Sequence, residues 1–214
     1  PVSEWGGAQG GRSRQAHGID ADRPTLVTVS RLSMEKNIGL LLRVVQRLVA
    51  HFPDLLFLIA GEGPDEARLK RMARELGLDD HVRFFGNLDR RTQLLDAYRA
   101  GDVFVFASPT ETQGLVLIEA MALGVPIVST AQMGTATVLR HARGALIADP
   151  DVAVFAERVA DLLRSPSRRA ALSAAGPLDA QAWSSDALAR QLADLYRRLS
   201  LQAGVVGASD PVEG

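Results

Sequence analysis

The sequence predicts an α/β domain with a Rossmann-like, three-layer arrangement, in which a parallel sheet lies between two layers of helices. Short apolar runs alternate with segments whose apolar residues recur at helical spacing. The runs are apolar throughout instead of alternating with polar residues, which is typical of strands buried on both faces. Strands and helices that alternate along the chain with short connections favour parallel strands joined by right-handed crossovers.

The alternation of strands and helices begins at Thr25. The apolar runs interpreted as strands are Thr25–Val29, Leu55–Ala60, Val82–Phe85, Val103–Ala107, Ile127–Ser129 and Leu146–Ala148. The segments with helical spacing between them are Ile38–Phe52, Asp65–Leu76, Arg91–Arg99 and Leu115–Leu123. After the last strand, further helices are predicted at Asp151–Ser165, Ser167–Ala175 and Ser184–Leu199.

The length and the local composition predict one domain with an irregular segment at each end. Pro1–Arg23 is rich in Gly, Ser and Arg without periodicity, so we interpret it as a linker. Residues 24–200 are predicted to form the domain, which is within the usual size of a single core. Residues 201–214 are rich in Gly and Ala, and we expect them to form a mobile tail.

Composition excludes several classes of protein. The 24 basic and 25 acidic residues argue against a nucleic-acid partner, whose phosphates require a basic surplus. Cysteine is absent from the sequence, which excludes a disulfide framework and favours a cytoplasmic location. The longest nearly apolar run, Leu115–Val128, contains a glutamate and is too short to span a bilayer. Pro1–Arg23 has no apolar core of the kind that signal peptides contain.

Four polar loops follow predicted strands and therefore share one edge of the predicted sheet. These loops are Ser30–Lys36, Gly61–Pro64, Gly86–Asp89 and Ser108–Gln113. Ligands of parallel α/β sheets bind beyond the carboxyl ends of the strands, so we expect the functional residues at this edge.

Two carboxylates stand near the last of these loops. Glu119 lies in the otherwise apolar helix Leu115–Leu123, where an ionised carboxylate is costly unless something donates a hydrogen bond to it. Glu111 lies eight residues earlier, in the loop itself. The start of the helix presents free backbone N–H groups that suit an anion. The amides expected to face this anion belong to Gly114, Leu115 and Val116. Phosphates flanked by polyols, as in a nucleotide-sugar, fit this pattern.

Arg31 and Lys36 follow the first predicted strand. A guanidinium fork and an ammonium group can together neutralise a diphosphate leaving group without a metal ion. Taken alone, the two residues would be interpreted as solvated surface cations, as most Lys and Arg residues are. Their position at a strand end, on the same edge as Glu111 and Glu119, favours the functional interpretation.

Both motifs resemble those of a known family. The pair Glu111 and Glu119 resembles the Glu-x7-Glu signature of retaining GT-B glycosyltransferases of the glycosyltransferase family 4 type. The stretch Ser30–Lys36 resembles that family's phosphate-binding Gly-Arg-Leu-x-x-Glu-Lys, with Ser30 where the family has glycine. The similarity covers roughly residues 24–200 and matches only the C-terminal, donor-binding half of the GT-B fold.

The resemblance implies a role for each of these side chains. Glu111 would contact the transferred sugar, and Glu119 would bind the hydroxyl groups of the ribose. Arg31 and Lys36 would stabilise the departing diphosphate, so that the catalytic residues would be Glu111, Arg31 and Lys36. The loop after the third strand would place Leu88 near the nucleobase.

The resemblance also implies the reaction and its partners. The chain would be the donor-binding half of a retaining hexosyltransferase that moves a sugar from a nucleoside diphosphate sugar to a saccharide or lipid acceptor. Neither a metal nor a cofactor is expected. The acceptor site would lie in an N-terminal GT-B domain that this chain lacks, so the isolated chain is expected to be inactive. That missing half could also make a peripheral contact at the inner face of the membrane.

Two other functions remain open at this point. A non-catalytic nucleotide-sugar module would keep the same pocket. A dinucleotide-dependent oxidoreductase is suggested by Gly61 and Gly63, but Glu66 stands where the fingerprint has its third glycine. The acidic residue expected about twenty positions later is also replaced by the start of an apolar strand.

The candidate site residues have structural alternatives as well. Glu119 could form a buried ion pair with Arg31 or Arg140, and Glu111 could serve only as a negative charge at a helix start. Two Asp-x-Asp matches could suggest a metal-dependent GT-A transferase, but we interpret them as turn and helix-cap residues. These matches are Asp20/Asp22 and Asp149/Asp151.

Overall fold

A computed structural model describes residues 10–89, 92–190 and 192–195. Six parallel strands form a single sheet in the order β3-β2-β1-β4-β5-β6. They are β1 Thr25–Val29, β2 Leu56–Ala60, β3 Val82–Gly86, β4 Val103–Phe106, β5 Ile127–Ser129 and β6 Ala145–Ile147. The parallel sheet confirms the predicted Rossmann-like α/β fold.

Eight α-helices accompany the sheet between residues 10 and 181 of the described chain. They are α1 Gly10–Ala16, α2 Ile38–Val49, α3 Glu66–Glu75, α4 Gln93–Ala100, α5 Leu115–Ala122, α6 Gly134–Leu139, α7 Val152–Arg164 and α8 Pro166–Gln181. A short 3-10 helix, Met34–Lys36, precedes α2. Residues 185–190 and 192–195 are also helical. Of these described helices, none has both the length and the apolar character needed to span a membrane.

Successive residues of each central strand enter two different cores, which explains why the strands are apolar throughout. In β2, Phe57 and Ile59 pack into the core that contains α2 and α7. Leu56 and Leu58 point to the opposite face and pack into the core that contains α4 and α5. All four side chains are fully buried. Both faces of the sheet are therefore covered, as the continuous apolar runs predict.

The sheet reverses its strand order between β1 and β4. From β1 the chain continues outward to β2 and β3, whereas β4 pairs with the other side of β1 and leads to β5 and β6. The helices that follow these two adjacent strands, α2 and α5, lie on opposite faces of the sheet, which in folds of this kind creates a crevice at the strand ends. This position is where a Rossmann-like sheet offers a binding site.

Part of the segment interpreted as a linker is folded, and that interpretation does not hold for residues 10–23. Helix α1 packs against α4. The buried Arg14 donates hydrogen bonds to the Asp102 carboxylate at 2.8 Å and to the carbonyl groups of Ala21 and Arg23, both at 2.9 Å. Ser13 Oγ also donates to Asp96 of α4 at 3.0 Å. Polar contacts fix this helix, so it has no apolar periodicity that the sequence could reveal.

The observed bounds of other helices differ less from those predicted by the sequence. Helix α8 extends to Gln181, beyond the predicted end at Ala175. Helix α6 was not predicted, because its six residues are too few to display a helical period. The predicted start at Arg91, part of the helix predicted to end at Leu199, and the predicted tail 201–214 lie outside the described residues.

Candidate functional site

The loops that follow β1 and β4 bring Lys36 and Glu111 together at the crevice between these strands. Lys36 Nζ donates to Glu111 Oε2 at 2.8 Å, and each side chain is 18% exposed. A second contact joins the same loops, because Ser108 Oγ donates to the carbonyl oxygen of Glu35 at 3.2 Å. A cation and an anion that stand 75 positions apart in the sequence are thus held side by side at the edge where ligands bind.

The loop that carries Arg31 and Lys36 rests on the loop that follows β2. The amide of Leu32 donates to the carbonyl of Glu62 at 2.9 Å, and the amide of Ser30 donates to the carbonyl of Ala60 at 3.1 Å. Gly61 makes this approach possible, since a Cβ atom there would lie 1.9 Å from the carbonyl oxygen of Ser30. Gly63 has the same function, with a distance of 2.3 Å to the Leu32 carbonyl oxygen. These glycines therefore serve the packing of two loops, which accounts for them without a dinucleotide fingerprint.

Glu111 also contacts the start of α5. Its Oε1 accepts hydrogen bonds from the backbone N–H of Gly114 at 3.0 Å and of Gln113 at 3.3 Å. Burial tends to raise the pKa of Glu111, but the hydrogen bonds from Lys36, Gly114 and Gln113 outweigh it and hold the pKa below its ordinary value of 4.5. The structural alternative considered above, a negative charge at a helix start, is thus part of the observed arrangement.

Glu119 lies inside the core on α5 and is 7% exposed. The hydroxyl group of Tyr98, on α4, donates to its Oε2 at 2.7 Å. Sequence reasoning missed this partner, because Tyr98 stands among the apolar residues of α4 and looks like ordinary core packing. The donor that a buried carboxylate requires is therefore supplied by a different helix.

The remaining predicted site residues follow the carboxyl ends of β1, β3 and β4. Arg31 is exposed, and its side chain makes no hydrogen bond or ion pair with the residues that the structure describes. Leu115, at the start of α5, is 53% exposed, whereas Val116 is half-buried. Leu88 follows β3 and packs partly against the core on the α4 side of the sheet.

The described residues contain no group of three or more His, Asp or Glu side chains that could hold a metal ion. Asp151 instead caps α7, because its Oδ1 accepts hydrogen bonds from the amides of Ala153 and Val154. This confirms its prediction as a helix-cap residue.

The contacts of Glu111 predict a pH-dependent contribution to stability. Because its pKa in the folded state lies below the ordinary value of 4.5, the ionised side chain stabilises the fold above that pH, and this contribution is lost as the pH falls through the folded pKa. Glu111→Gln should therefore lower the free energy of unfolding at neutral pH by more than it does in acid. Urea denaturation of both proteins at neutral pH and at about pH 3 measures the difference.

The matched control is Glu75→Gln, at an exposed position at the end of α3. This substitution should change the free energy of unfolding little at either pH. The contacts assigned to Glu111 would be contradicted if Glu111→Gln lowered the free energy of unfolding, relative to the wild type, by the same amount at neutral pH and in acid.

The fold and the site can be compared with known proteins. A family model described as glycosyl transferases group 1 matches residues 11–179. D-inositol 3-phosphate glycosyltransferase 2 from Catenulispora acidiphila is 36% identical over 197 residues, which cover 87% of this chain and 46% of that protein. The chain spans about half the length of curated relatives that it matches.

Solved structures show the same fold. HepE from Anabaena, crystallised with UDP, superimposes with a TM-score of 0.80 at 19% identity, over 92% of this chain and 55% of that one. The C-terminal domain of a glycosyl transferase group 1 protein, LpcC from Francisella tularensis, gives a TM-score of 0.75 at 20% identity. That match covers 84% of this chain and 95% of the LpcC domain.

Proposed function

Because this chain belongs to the family of glycosyl transferases group 1 and has the fold of the C-terminal half of a GT-B enzyme, we propose that it binds the donor of a retaining glycosyltransferase. The donor would be a nucleoside diphosphate sugar, and the acceptor a saccharide or a lipid. The observation that carries the proposal is the Lys36–Glu111 pair, in which a cation and an anion meet at 2.8 Å where the strand order reverses. A sugar diphosphate requires both charges, the cation for its phosphates and the anion for its hydroxyl groups.

We assign the phosphates to Lys36, Arg31 and the start of α5. When the bond between the sugar and the diphosphate breaks, negative charge builds up on the departing phosphate oxygen. The ammonium group of Lys36 and the exposed guanidinium of Arg31 stabilise that charge, and the N-terminal amides of α5 add to it. In this proposal the amide of Gly114 exchanges Glu111 for a phosphate oxygen when the donor binds.

We assign the transferred sugar to Glu111 and the ribose to Glu119. When the donor takes over Lys36 and the amide of Gly114, the Glu111 carboxylate can accept hydrogen bonds from sugar hydroxyl groups. Glu119 lies one helical turn beyond Leu115, on the face of α5 that continues from the proposed phosphate position. Leu88, at the end of β3, is assigned to the nucleobase.

We propose that transfer requires a second domain. The groups that hold the acceptor would belong to the N-terminal half of a GT-B enzyme, so this chain alone should bind the donor without transferring the sugar. A location in the cytoplasm, with membrane contact through that other half, stays a prediction. A non-catalytic nucleotide-sugar module would share the donor site, and only transfer by a complete enzyme separates the two.

The proposal predicts that Arg31→Ala weakens the binding of UDP or GDP by about 10- to 150-fold, the loss of one hydrogen-bonded charge contact. The matching nucleoside has no phosphates and should bind equally to both proteins. Isothermal titration calorimetry of this chain in the presence of EDTA measures both affinities, since the proposed charge neutralisation uses side chains in place of a metal.

The control for this experiment is Arg71→Ala, which removes an exposed arginine from α3 on the chain segment between β2 and β3. It should leave the affinity for the diphosphate unchanged. Equal affinities of Arg31→Ala and the wild type would contradict the phosphate assignment, and binding that appears only with Mn²⁺ would contradict the metal-free mechanism.

A further inference from the structure

Tyr98 is held rigidly next to Glu119. Its side chain is fully buried, and its ring lies over that of Phe104 in β4, with the centroids 5.4 Å apart and an angle of 29° between the planes. The hydroxyl group donates to Glu119 Oε2 at 2.7 Å, and the carbonyl oxygen of Val116 lies 3.4 Å away. A tyrosine has only two side-chain torsions, so this packing fixes the position of the hydroxyl.

The hydrogen bond fixes the carboxylate in turn. Glu119 has three side-chain torsions, and the Tyr98 hydroxyl binds one of its two carboxylate oxygens, Oε2. A short O–H···O⁻ bond of this kind is stronger than a bond between neutral groups. It therefore sets the direction in which the carboxylate plane faces.

We propose that Tyr98 is a positioning residue, which orients Glu119 toward the adjacent hydroxyl groups of the donor ribose and so sets the preference for ribonucleotides over 2′-deoxyribonucleotides. The inference rests on the proposed function and adds a residue that touches no ligand. A carboxylate can accept from two neighbouring hydroxyl groups only when its plane faces both of them. A donor that lacks the 2′-hydroxyl can make only one of these bonds, so it gains little from the orientation of the carboxylate.

The test is Tyr98→Phe, which removes the hydroxyl and keeps the ring. Calorimetry on this chain compares UDP with 2′-deoxy-UDP, and GDP with 2′-deoxy-GDP. The wild type should prefer the ribonucleotide by about 10-fold or more, the effect of one hydrogen bond to a charged group. In Tyr98→Phe, the affinity for the ribonucleotide should fall and that for the deoxynucleotide should change less than about twofold, so that the preference largely disappears.

Two further variants keep the result unambiguous. Phe155→Leu is a buried substitution in the core on the other face of the sheet, away from Tyr98, and should lower the stability while the preference for ribose stays. Glu119→Gln should itself reduce the preference, and adding Tyr98→Phe to it should cause little further change, because the two residues act as one unit. Glu119→Gln keeps an acceptor for the tyrosine hydroxyl, so it remains informative if Tyr98→Phe alone is poorly folded, and an unchanged ribose preference in Glu119→Gln would also overturn the inference.

Each outcome points to one conclusion. Equal weakening of ribo- and deoxyribonucleotides in Tyr98→Phe, or an unchanged preference, overturns the positioning role and leaves the proposed function intact. A wild type that binds UDP or GDP without preferring ribose overturns the inference together with the assignment of Glu119. A wild type that binds neither diphosphate overturns the proposed function itself.

Discussion

Lys36→Ala should lower kcat/KM for sugar transfer by about 10²- to 10³-fold, the usual effect of removing one group that stabilises developing charge. The measurement requires an enzyme in which this domain is joined to its acceptor-binding half. The reason is that Lys36 places a positive charge at the end of β1, beside the loop that carries Glu111, where negative charge would build up on the departing diphosphate. A cation that is already in place when the bond breaks stabilises this charge without reorganisation.

The fold should tolerate this change. After removal of Lys36, Glu111 still accepts hydrogen bonds from the amides of Gly114 and Gln113, so the loop keeps two of its contacts. Single-turnover rates and donor affinity should therefore be measured separately, with the thermal stability of each protein.

Lys70→Ala is the matched control, because this lysine is 46% exposed on α3 and pairs with Glu66 within the same helix. It should leave transfer unchanged. A change of less than about threefold in kcat/KM for Lys36→Ala would refute the role of Lys36 as the group that stabilises the leaving diphosphate.

Gly61→Ala should lower the free energy of unfolding by about 4 kcal/mol or more, which is in the range of the most damaging single substitutions. The added Cβ atom would lie 1.9 Å from the carbonyl oxygen of Ser30, and Gly61 has a φ of 131°, which L side chains rarely adopt. Either the loop carrying Arg31 and Lys36 is displaced, or the end of β2 gives up its bond from Gly61 N–H to the Gly86 carbonyl. Urea denaturation measures the loss.

Gly77→Ala separates the effect of the close contact from the effect of the positive φ. Gly77 also has a positive φ, of 71°, but a Cβ atom there would meet nothing within 4 Å. Its substitution should cost only about 1–2 kcal/mol, the price of the left-handed conformation alone. Similar losses in both variants would show that the contact with Ser30 is not what makes Gly61 necessary.

The sequence predicts well what depends on local pattern. The strands are evident because residues such as Leu56 and Phe57 enter two cores and leave no polar face. The candidate residues at the sheet edge follow from the same pattern, since parallel strands all end on one side. Their positions at that edge could be predicted, whereas the pairing of Lys36 with Glu111 depends on which strands are neighbours, and the sequence does not state the strand order.

What the sequence could not predict depends on polar contacts between distant segments. Arg14 fixes α1 through Asp102, 88 positions away, and neither residue belongs to an apolar pattern. Tyr98 contacts Glu119 from a separate helix, and a tyrosine in an apolar stripe is usually only packed. Such partners become visible only when the tertiary structure is known.

In the proposed donor site, the contact with Glu111 supplies Lys36 with a counterion that is part of the chain. A diphosphate that binds there would not meet a bare cation. It would take the place of the Glu111 carboxylate, which would then turn to the sugar. The same carboxylate could return to Lys36 when the nucleotide product leaves. Release would then be the reverse of the exchange that occurs on binding. Lys36 would then be paired with a negative charge both with and without the nucleotide, which offsets part of the cost of desolvating it. Nucleotide affinity should therefore depend less steeply on salt than the number of cations suggests.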